Sequence, residues 1–413
     1  MKKYTVILLV ILGILFVSAG SVCSVLDYID NKNKQEIKLR QKEQTEDILR
    51  HYAPVVKTKE DSFLYSLNNN EYKKVSKIAK DEVVELSDEK ITHKTKYFYI
   101  PKLDSYIEYD KVEKADSISK NERYKRYLPF NENIITDEEV KLYRDEKLVY
   151  ELYSSLDTSI IEKSDTGYYI EYNEELLYID SSDVVKSYEK ENSTEQEAKS
   201  VPVTVYHFIY LEGDNTCNEV ICHHENQIKE QFGYLKDNNY FTLNTTELSK
   251  FIDGKIRLPE KSVLVTIDDG ARAWNFVPLL EEYEINATLF LVSSWYKTEQ
   301  YKSEYMEIAS HTHALHIPGV CQGGQGSPMK CLDKTKLLED LKVSRETLNG
   351  TKAFCFPFYE FNDYAINVLK EAGFEMAFIG GQRKATKGIN KFKIPRITMH
   401  RNTTLKEYIN YID

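Results

Sequence analysis

The chain has 413 residues, a formal net charge of −11 and 29% charged residues. That length exceeds one average domain and predicts two or three of them. The acidic balance argues against a nucleic-acid partner, because it offers no surplus of basic residues to neutralise a phosphate backbone. It leaves the oligomeric state open.

The N-terminal segment predicts a membrane anchor. Two lysines precede an uncharged, mostly apolar run over residues 5–26, and Asp27 follows it. A helix of that length spans a bilayer core of about 30 Å. The flanking charges put the N-terminus in the cytoplasm and the rest of the chain outside. The alternative is a cleaved signal peptide, with residues 17–19 as a small-residue cleavage site. We predict a single-pass cell-membrane protein anchored by residues 1–30.

Residues 31–61 are polar and charged, which predicts a partly helical stalk. From residue 62 to residue 186, short alternating segments rich in Tyr, Ile and Val have Asn and Asp between them, a pattern typical of β-strands and turns. One pattern occurs twice at a constant interval. It comprises Tyr97-Phe98, Tyr106-Ile107 and Val112, and then Tyr169-Ile170, Tyr178-Ile179 and Val184.

This repeat resembles the closing strands of bacterial Src-homology-3-like (SH3-like) barrels. The resemblance implies two small β modules, over residues 62–116 and 130–188, that act as spacers or as glycan-binding modules. Residues 189–200 are rich in Glu, Lys, Ser and Thr and are predicted to form a linker.

After Pro202, apolar strands alternate with helical segments. Predicted buried strands cover residues 203–206, 263–267 and 287–292, and a leucine-rich helix covers 332–348. A further helix contains Ala365, Ile366 and Leu369 and ends before Gly373. This alternation predicts an α/β barrel or doubly wound sheet, whose chemistry gathers at the carboxyl ends of the strands.

Four of the six cysteines form close pairs, Cys217 with Cys222 and Cys321 with Cys331. Export would permit disulfides, and neither pair has the spacing of a metal finger. We predict two disulfides, with free thiols as the alternative. Of the other two cysteines, Cys23 lies in the predicted anchor and Cys355 is left over.

Two segments carry the candidate chemistry. Asp268-Asp269-Gly270 follows a hydrophobic strand, where the simpler interpretation is a turn. About forty residues later, three of the nine histidines, His311, His313 and His316, lie within six positions. Such crowding is rare outside metal sites. One carboxylate and two histidines with open positions are typical of a hydrolytic centre for Zn²⁺ or a similar divalent ion.

Together these segments resemble the polysaccharide deacetylase family, the NodB-homology carbohydrate esterases. The resemblance runs from Val201 to Asp413 and implies a distorted (β/α) barrel preceded by the transmembrane helix and the β-rich region. It implies that Asp268 is the general base and that Asp269, His311 and His316 bind the metal. The histidine spacing leaves His313 open as an alternative to His316.

The remaining motifs match in part. Residues 354–359 resemble the family's third motif, which implies that the Phe358 backbone amide helps to hold the oxyanion. Cys355 stands where that motif carries an arginine, and Arg396 is the candidate replacement. His400 is the candidate acid that protonates the leaving amine, and its alternative is a surface histidine.

The resemblance implies a metal-dependent hydrolase, specifically a polysaccharide N-deacetylase. It would remove N-acetyl groups from a cell-surface polysaccharide that contains N-acetylglucosamine, with peptidoglycan first and poly-N-acetylglucosamine second. The expected metal is Zn²⁺, with Co²⁺ or another divalent ion as alternatives. The competing hypothesis is an inactive cell-surface glycan-binding protein.

Overall fold

A computed structural model describes residues 2–87, 96–117, 122–190, 196–211, 213–214, 216–217 and 219–413, with side chains from residue 27 onward. The chain divides into two compact units. The N-terminal unit comprises Met1–Lys120, Ile135–Asp157 and Glu171–Lys186. The C-terminal unit comprises Asn121–Ile134, Thr158–Ile170 and Ser187–Asp413, so it includes two segments upstream of the predicted catalytic region.

Helix α1 covers Lys2–His51 and includes much of the predicted stalk. The side chains of the predicted anchor, residues 5–26, lie outside the described residues. Among the helices whose side chains are described, none is long and apolar enough to cross a membrane.

The next region is rich in short strands. They are β1 (Val55–Thr58), β2 (Ser62–Asn68), β3 (Glu71–Ile78), β4 (Val83–Glu85), β5 (Tyr97–Ile100), β6 (Ser105–Glu108), β7 (Val112–Lys114), β8 (Glu132–Thr136), β9 (Val140–Arg144), β10 (Lys147–Leu152), β11 (Asp157–Ser159), β12 (Glu162–Lys163), β13 (Gly167–Tyr172), β14 (Glu175–Asp180) and β15 (Val184–Glu189).

Within the N-terminal unit, strands pair in the order β14-β9-β10-β3-β2-β6-β5. The sequence repeat has a structural counterpart in this region. Two strands, a 3₁₀ turn at Tyr109–Lys111 and a third strand form β5 to β7, and the same order recurs in β13 to β15 around Ser181–Asp183. The β-rich region is therefore confirmed, whereas the assignment to two SH3-like modules stays a prediction.

The C-terminal unit adds a second set of strands and the remaining helices. The strands are β16 (Ser200–Val201), β17 (Val203–Tyr206), β18 (Phe208–Tyr210), β19 (Cys222–His224), β20 (Phe241–Thr242), β21 (Ser262–Asp269), β22 (Ala287–Leu291), β23 (Met306–Ser310), β24 (Ala353–Cys355), β25 (Met376–Ile379), β26 (Ala385–Thr386), β27 (Ile394–Pro395) and β28 (Ile397–Thr398). The helices are α2 (Glu225–Asp237), α3 (Thr245–Ile252), α4 (Val277–Tyr283), α5 (Lys334–Thr347), α6 (Asp363–Glu371) and α7 (Leu405–Ile412).

A parallel sheet organises this unit, in the order β27-β25-β24-β23-β22-β21-β17-β28. Its two outer strands, β27 and β28, are separated in the chain by one residue, Arg396. The sheet is thus a nearly closed barrel, which confirms the predicted α/β barrel. Every residue of β21 is buried, as expected for a parallel strand with both faces covered.

Local sequence explains where helix α5 begins and ends. Asp333 caps α5 by accepting hydrogen bonds from the Thr335 and Lys336 amides, and Gly350 lies beyond its end at φ 76°.

Both predicted disulfides, Cys217–Cys222 and Cys321–Cys331, are present, and Cys355 is a buried free thiol.

Candidate active site

The two aspartates lie at the carboxyl end of β21, the third strand from the β28 edge of the barrel sheet. Both are buried, and Asp269 has a left-handed φ of 72°. Gly270 follows at φ 107°, and its carbonyl accepts a hydrogen bond of 2.8 Å from the Tyr301 hydroxyl. Left-handed backbone is costly for a non-glycine residue and concentrates at functional sites. The turn therefore holds the Asp269 side chain in a fixed direction.

Asp268 is paired with the fully buried Arg396. The two guanidinium NH groups donate to its two carboxylate oxygens at 2.7 Å each. Burial acts to raise the pKa of Asp268, but the charge and hydrogen bonds of Arg396 outweigh it and hold that pKa well below the ordinary range. Asp268 is therefore ionised and oriented, and the link between β27 and β28 supplies the arginine.

Cys355 completes this buried cluster. Its sulfur accepts a hydrogen bond from Arg396 at 2.8 Å and lies 3.6 Å from an Asp268 oxygen. Burial raises the pKa of the Cys355 thiol, so the residue remains protonated near neutral pH. The place of the expected motif arginine is thus taken by a neutral thiol that contacts the replacement arginine.

Asp269, His311 and His316 bring one potential ligand atom each within 4.8 Å of one another. Asp269 Oδ1 is 3.4 Å from His311 Nε2 and 3.3 Å from His316 Nε2. His311 Nδ1 lies 2.8 Å from the Cys355 carbonyl oxygen, which can only accept, so Nδ1 carries a proton and Nε2 is the ring nitrogen next to Asp269. The structure brings together the three ligands predicted from the sequence.

These residues fit a divalent cation. Ligand atoms about 2.0–2.2 Å from a tetrahedral ion lie about 3.3–3.6 Å apart, which matches the distances from Asp269 Oδ1 to the two histidine Nε2 atoms. Asp269 Oδ1 is buried and has no hydrogen-bond partner among the described residues. Burial, together with the neighbouring His311, lowers the pKa of His316 to about 4, so the ring is neutral at physiological pH, as a ligand must be.

The two alternatives fit less well. His313 Nδ1 lies 3.0 Å from the Ser293 hydroxyl, and the His313 amide donates to Asp340. A second cluster of Asp268, His311 and Cys355 also has metal-like spacing. Its carboxylate is already paired with the Arg396 guanidinium, however, whose positive charge opposes a cation there.

The two other predicted residues, Phe358 and His400, differ in their contacts with this centre. The Phe358 ring centroid is 4.5 Å from that of His316, so the turn carrying the predicted amide donor, Pro357–Tyr359, adjoins the candidate ligands. Phe358 itself has a left-handed φ of 57°. His400 is exposed, and its backbone contacts Thr403 and Gln227. The described contacts give His400 no link to the aspartates.

Sequence reasoning assigned no role to His207, the residue directly after β17. That strand pairs in parallel with β21, which puts His207 beside the Asp268–Asp269 end. Burial lowers the pKa of His207, while the charges of Asp268 and Asp269 act to raise it. Its Nδ1 atom is buried without a hydrogen-bond partner among the described residues. The sequence feature that could have identified His207 is its place directly after a buried strand, β17, whose neighbour β21 carries the two aspartates.

Comparison with known proteins identifies similar chains. Residues 255–377 match the family model described as polysaccharide deacetylase. Two curated relatives are each named poly-beta-1,6-N-acetyl-D-glucosamine N-deacetylase. The one from Escherichia coli (strain K12) is 26% identical over 238 residues, and the one from Staphylococcus aureus (strain MSSA476) is 27% identical over 195 residues.

These alignments cover 45% and 42% of this chain but 34% and 66% of the relatives, so the chain spans less than two thirds of either. A solved de-N-acetylase structure from Aggregatibacter actinomycetemcomitans is 23% identical, with a TM-score of 0.46, and covers 51% of this chain and 99% of that one. The family model and the curated names support the enzyme class expected from the sequence, polysaccharide N-deacetylase.

Proposed function

We propose that the C-terminal unit is a metal-dependent N-deacetylase acting on a polysaccharide that contains N-acetylglucosamine. The observation that carries this proposal is the pairing of an oriented, ionised Asp268 with an adjacent Asp269, His311 and His316 cluster of tetrahedral spacing. The inactive glycan-binding hypothesis gives no reason for a buried base beside an intact ligand set.

Asp268 is the proposed general base. Its carboxylate accepts a proton from the attacking water, and Arg396 keeps it ionised and fixed in direction for that step. A divalent cation held by Asp269, His311 and His316 would supply a water of lowered pKa and polarise the acetyl carbonyl. The Phe358 amide is the proposed donor to the developing oxyanion, a role in which one donor is typically worth about 3–4 kcal/mol.

The leaving amine needs a proton, and two histidines are candidates. His400 was predicted for this role, but it is exposed and its described hydrogen bonds, to Thr403 and Gln227, are made by its backbone. His207 directly follows β17, beside the two aspartates; burial lowers its pKa, and the charges of Asp268 and Asp269 act to raise it. We assign the acid to His207. A His207→Gln variant should then lose far more kcat than His400→Gln.

Poly-β-1,6-N-acetylglucosamine is the first candidate polymer, because the curated relatives carry that substrate in their names. Peptidoglycan, ranked first from the sequence, stays a candidate that the same assay tests. The proposed location is the outer face of the cell membrane, supported by the charges around residues 5–26 and by the two disulfides.

The deciding experiment measures acetate release from both polymers by the full-length chain, stripped of metal and reloaded with Zn²⁺ or Co²⁺. Asp268→Asn and His316→Ala should abolish release, and His316→Ala should also lower metal affinity by more than about tenfold. His313→Ala is the matched control and should retain both. No release from either polymer by a folded, metal-loaded chain would refute the proposal.

A further inference from the structure

Both tryptophans of the chain lie beside the candidate site, and both are exposed. Trp274 is 40% exposed, in the turn Ala273–Asn275 that follows the Asp269 loop. Trp295 is 47% exposed and follows β22, the strand next to β21. Exposed tryptophan faces are unusual on a soluble surface and are typical of binding sites.

Ring contacts connect each tryptophan to the candidate site. The Trp295 ring centroid is 5.3 Å from that of the proposed ligand His316, in an edge-on arrangement. The Trp274 centroid is 5.9 Å from that of Tyr296. Tyr296 in turn packs on Gly270, since a Cβ there would come within 3.0 Å of its ring. The Trp295 indole therefore contacts a proposed ligand, the Trp274 indole lies in the turn that follows Asp269, and part of each ring system is exposed to solvent.

The faces of a sugar unit can pack on exposed tryptophan rings. A pyranose presents apolar C–H faces and polar hydroxyl edges, so its face packs on an open aromatic ring while its hydroxyls stay hydrated. When one unit of a polymer lies at the catalytic group, its neighbours must lie on the surrounding surface. Two exposed indoles beside the group suit those neighbours.

We propose that Trp274 and Trp295 form an aromatic platform that binds the sugar units flanking the N-acetylglucosamine being deacetylated. This inference rests on the proposed function. The platform makes the chain selective for oligomers over the single sugar, because only an oligomer reaches the indoles and the metal group together.

Steady-state kinetics on β-1,6-linked N-acetylglucosamine oligomers of increasing length tests the selectivity. Trp274→Ala should raise KM for a hexamer about three- to tenfold, the effect of losing one aromatic contact, with less than a twofold change in kcat. Trp295→Tyr should retain part of the affinity that Trp295→Ala loses. Metal content is measured for each variant, because Trp295 touches His316. Tyr411→Ala, an equally exposed aromatic on α7, is the control and should not change KM.

A binding measurement separates this inference from the proposed function. Because the chain has two tryptophans, Trp274→Phe and Trp295→Phe each leave one fluorescent reporter. Metal-loaded protein should show a blue shift of each remaining tryptophan with the hexamer and none with the monosaccharide. Such a shift without any acetate release would keep the platform and refute the deacetylase. Acetate release with unchanged fluorescence and unchanged hexamer KM in the alanine variants would overturn the platform.

Discussion

Arg396 and Asp268 form a fully buried ion pair, so each depends on the other. Replacing Arg396 with Met leaves a buried carboxylate unpaired, and we expect unfolding free energy to fall by about 3–5 kcal/mol. The pKa of Asp268 should rise, because the charge that lowers it is gone. Since the base acts when ionised, the acidic limb of the pH profile for kcat/KM should move to higher pH. Urea unfolding and a pH–rate series measure the two effects.

The exposed Arg383→Met is the matched control and should change neither quantity. Combining Arg396→Met with Asp268→Asn removes the unpaired charge, so the double variant should recover part of the lost stability. A pH profile of Arg396→Met that coincides with that of the parent chain would contradict the assignment of Asp268 as the base.

His223 makes the C-terminal unit acid-sensitive. It is fully buried, and burial lowers its pKa to about 3, from 6.5 for an exposed histidine. The unfolded chain therefore takes up this proton before the folded chain does. The resulting stability is present above pH 6.5 and is lost as the pH falls toward 3. Between about pH 7.5 and about pH 5 we expect a loss of about 2 kcal/mol from this residue.

His223→Gln keeps a neutral polar side chain, so its unfolding free energy should fall less over the same pH interval. The comparison is made by urea unfolding at each pH. His224→Gln removes the adjacent exposed histidine and should follow the parent chain. Parallel losses in the parent chain and in His223→Gln would show that His223 does not control the acid sensitivity.

At the scale of elements, the turn after β21 fixes the Asp269 ligand. A Cβ on Gly270 would lie 2.5 Å from Leu291 Cδ1 and 3.1 Å from the Tyr301 hydroxyl, on backbone at φ 107°. Gly270→Ala should lower the unfolding free energy by about 2–4 kcal/mol and weaken metal binding. In Gly388→Ala, φ is 75° and the added Cβ meets nothing within 4 Å, so the expected loss is about 1–2 kcal/mol, with metal affinity retained. Equal effects of both substitutions would exclude a role for the packing at Gly270.

The elements also show how far sequence alone reaches. Local signals predicted the strands β17, β21 and β22, the helix α5 and the ligands at two strand ends. Apolar runs, helix caps and histidine spacing are each visible within a short stretch of sequence. Arg396, the partner of Asp268, was predicted only through the family resemblance, because barrel closure brings it from 128 residues away. The position of His207 likewise depends on the pairing of β17 with β21. Hydrophobic periodicity predicts local elements and does not predict which distant residues these strands bring together.

At the scale of the whole molecule, the C-terminal unit includes segments that a boundary at residue 201 would remove. Glu247 is buried, and it accepts hydrogen bonds from Arg123 Nε at 2.8 Å and from the Tyr127 hydroxyl at 3.2 Å. Arg257 is also buried; it donates to Asn131 at 3.0 Å and to Glu197 at 2.9 Å. The upstream segments thus neutralise charges on the barrel side of the unit.

A chain of residues 201–413 should therefore be less stable than the same region in the full-length protein. Glu247 would keep the Asn244 amide but lose Arg123 and Tyr127, and Arg257 would lose Glu197 and Asn131. Breaking a buried pair typically costs about 3–5 kcal/mol. Hydrogen exchange of α3 and β21 amides measures the effect locally, and faster exchange in the shorter chain is expected. In the full chain, Arg123→Met should accelerate exchange in α3 more than in β23, because Glu247 belongs to α3. Equal hydrogen-exchange protection in both chains would mean that the barrel is stable without the upstream segments and that their contacts do not stabilise it.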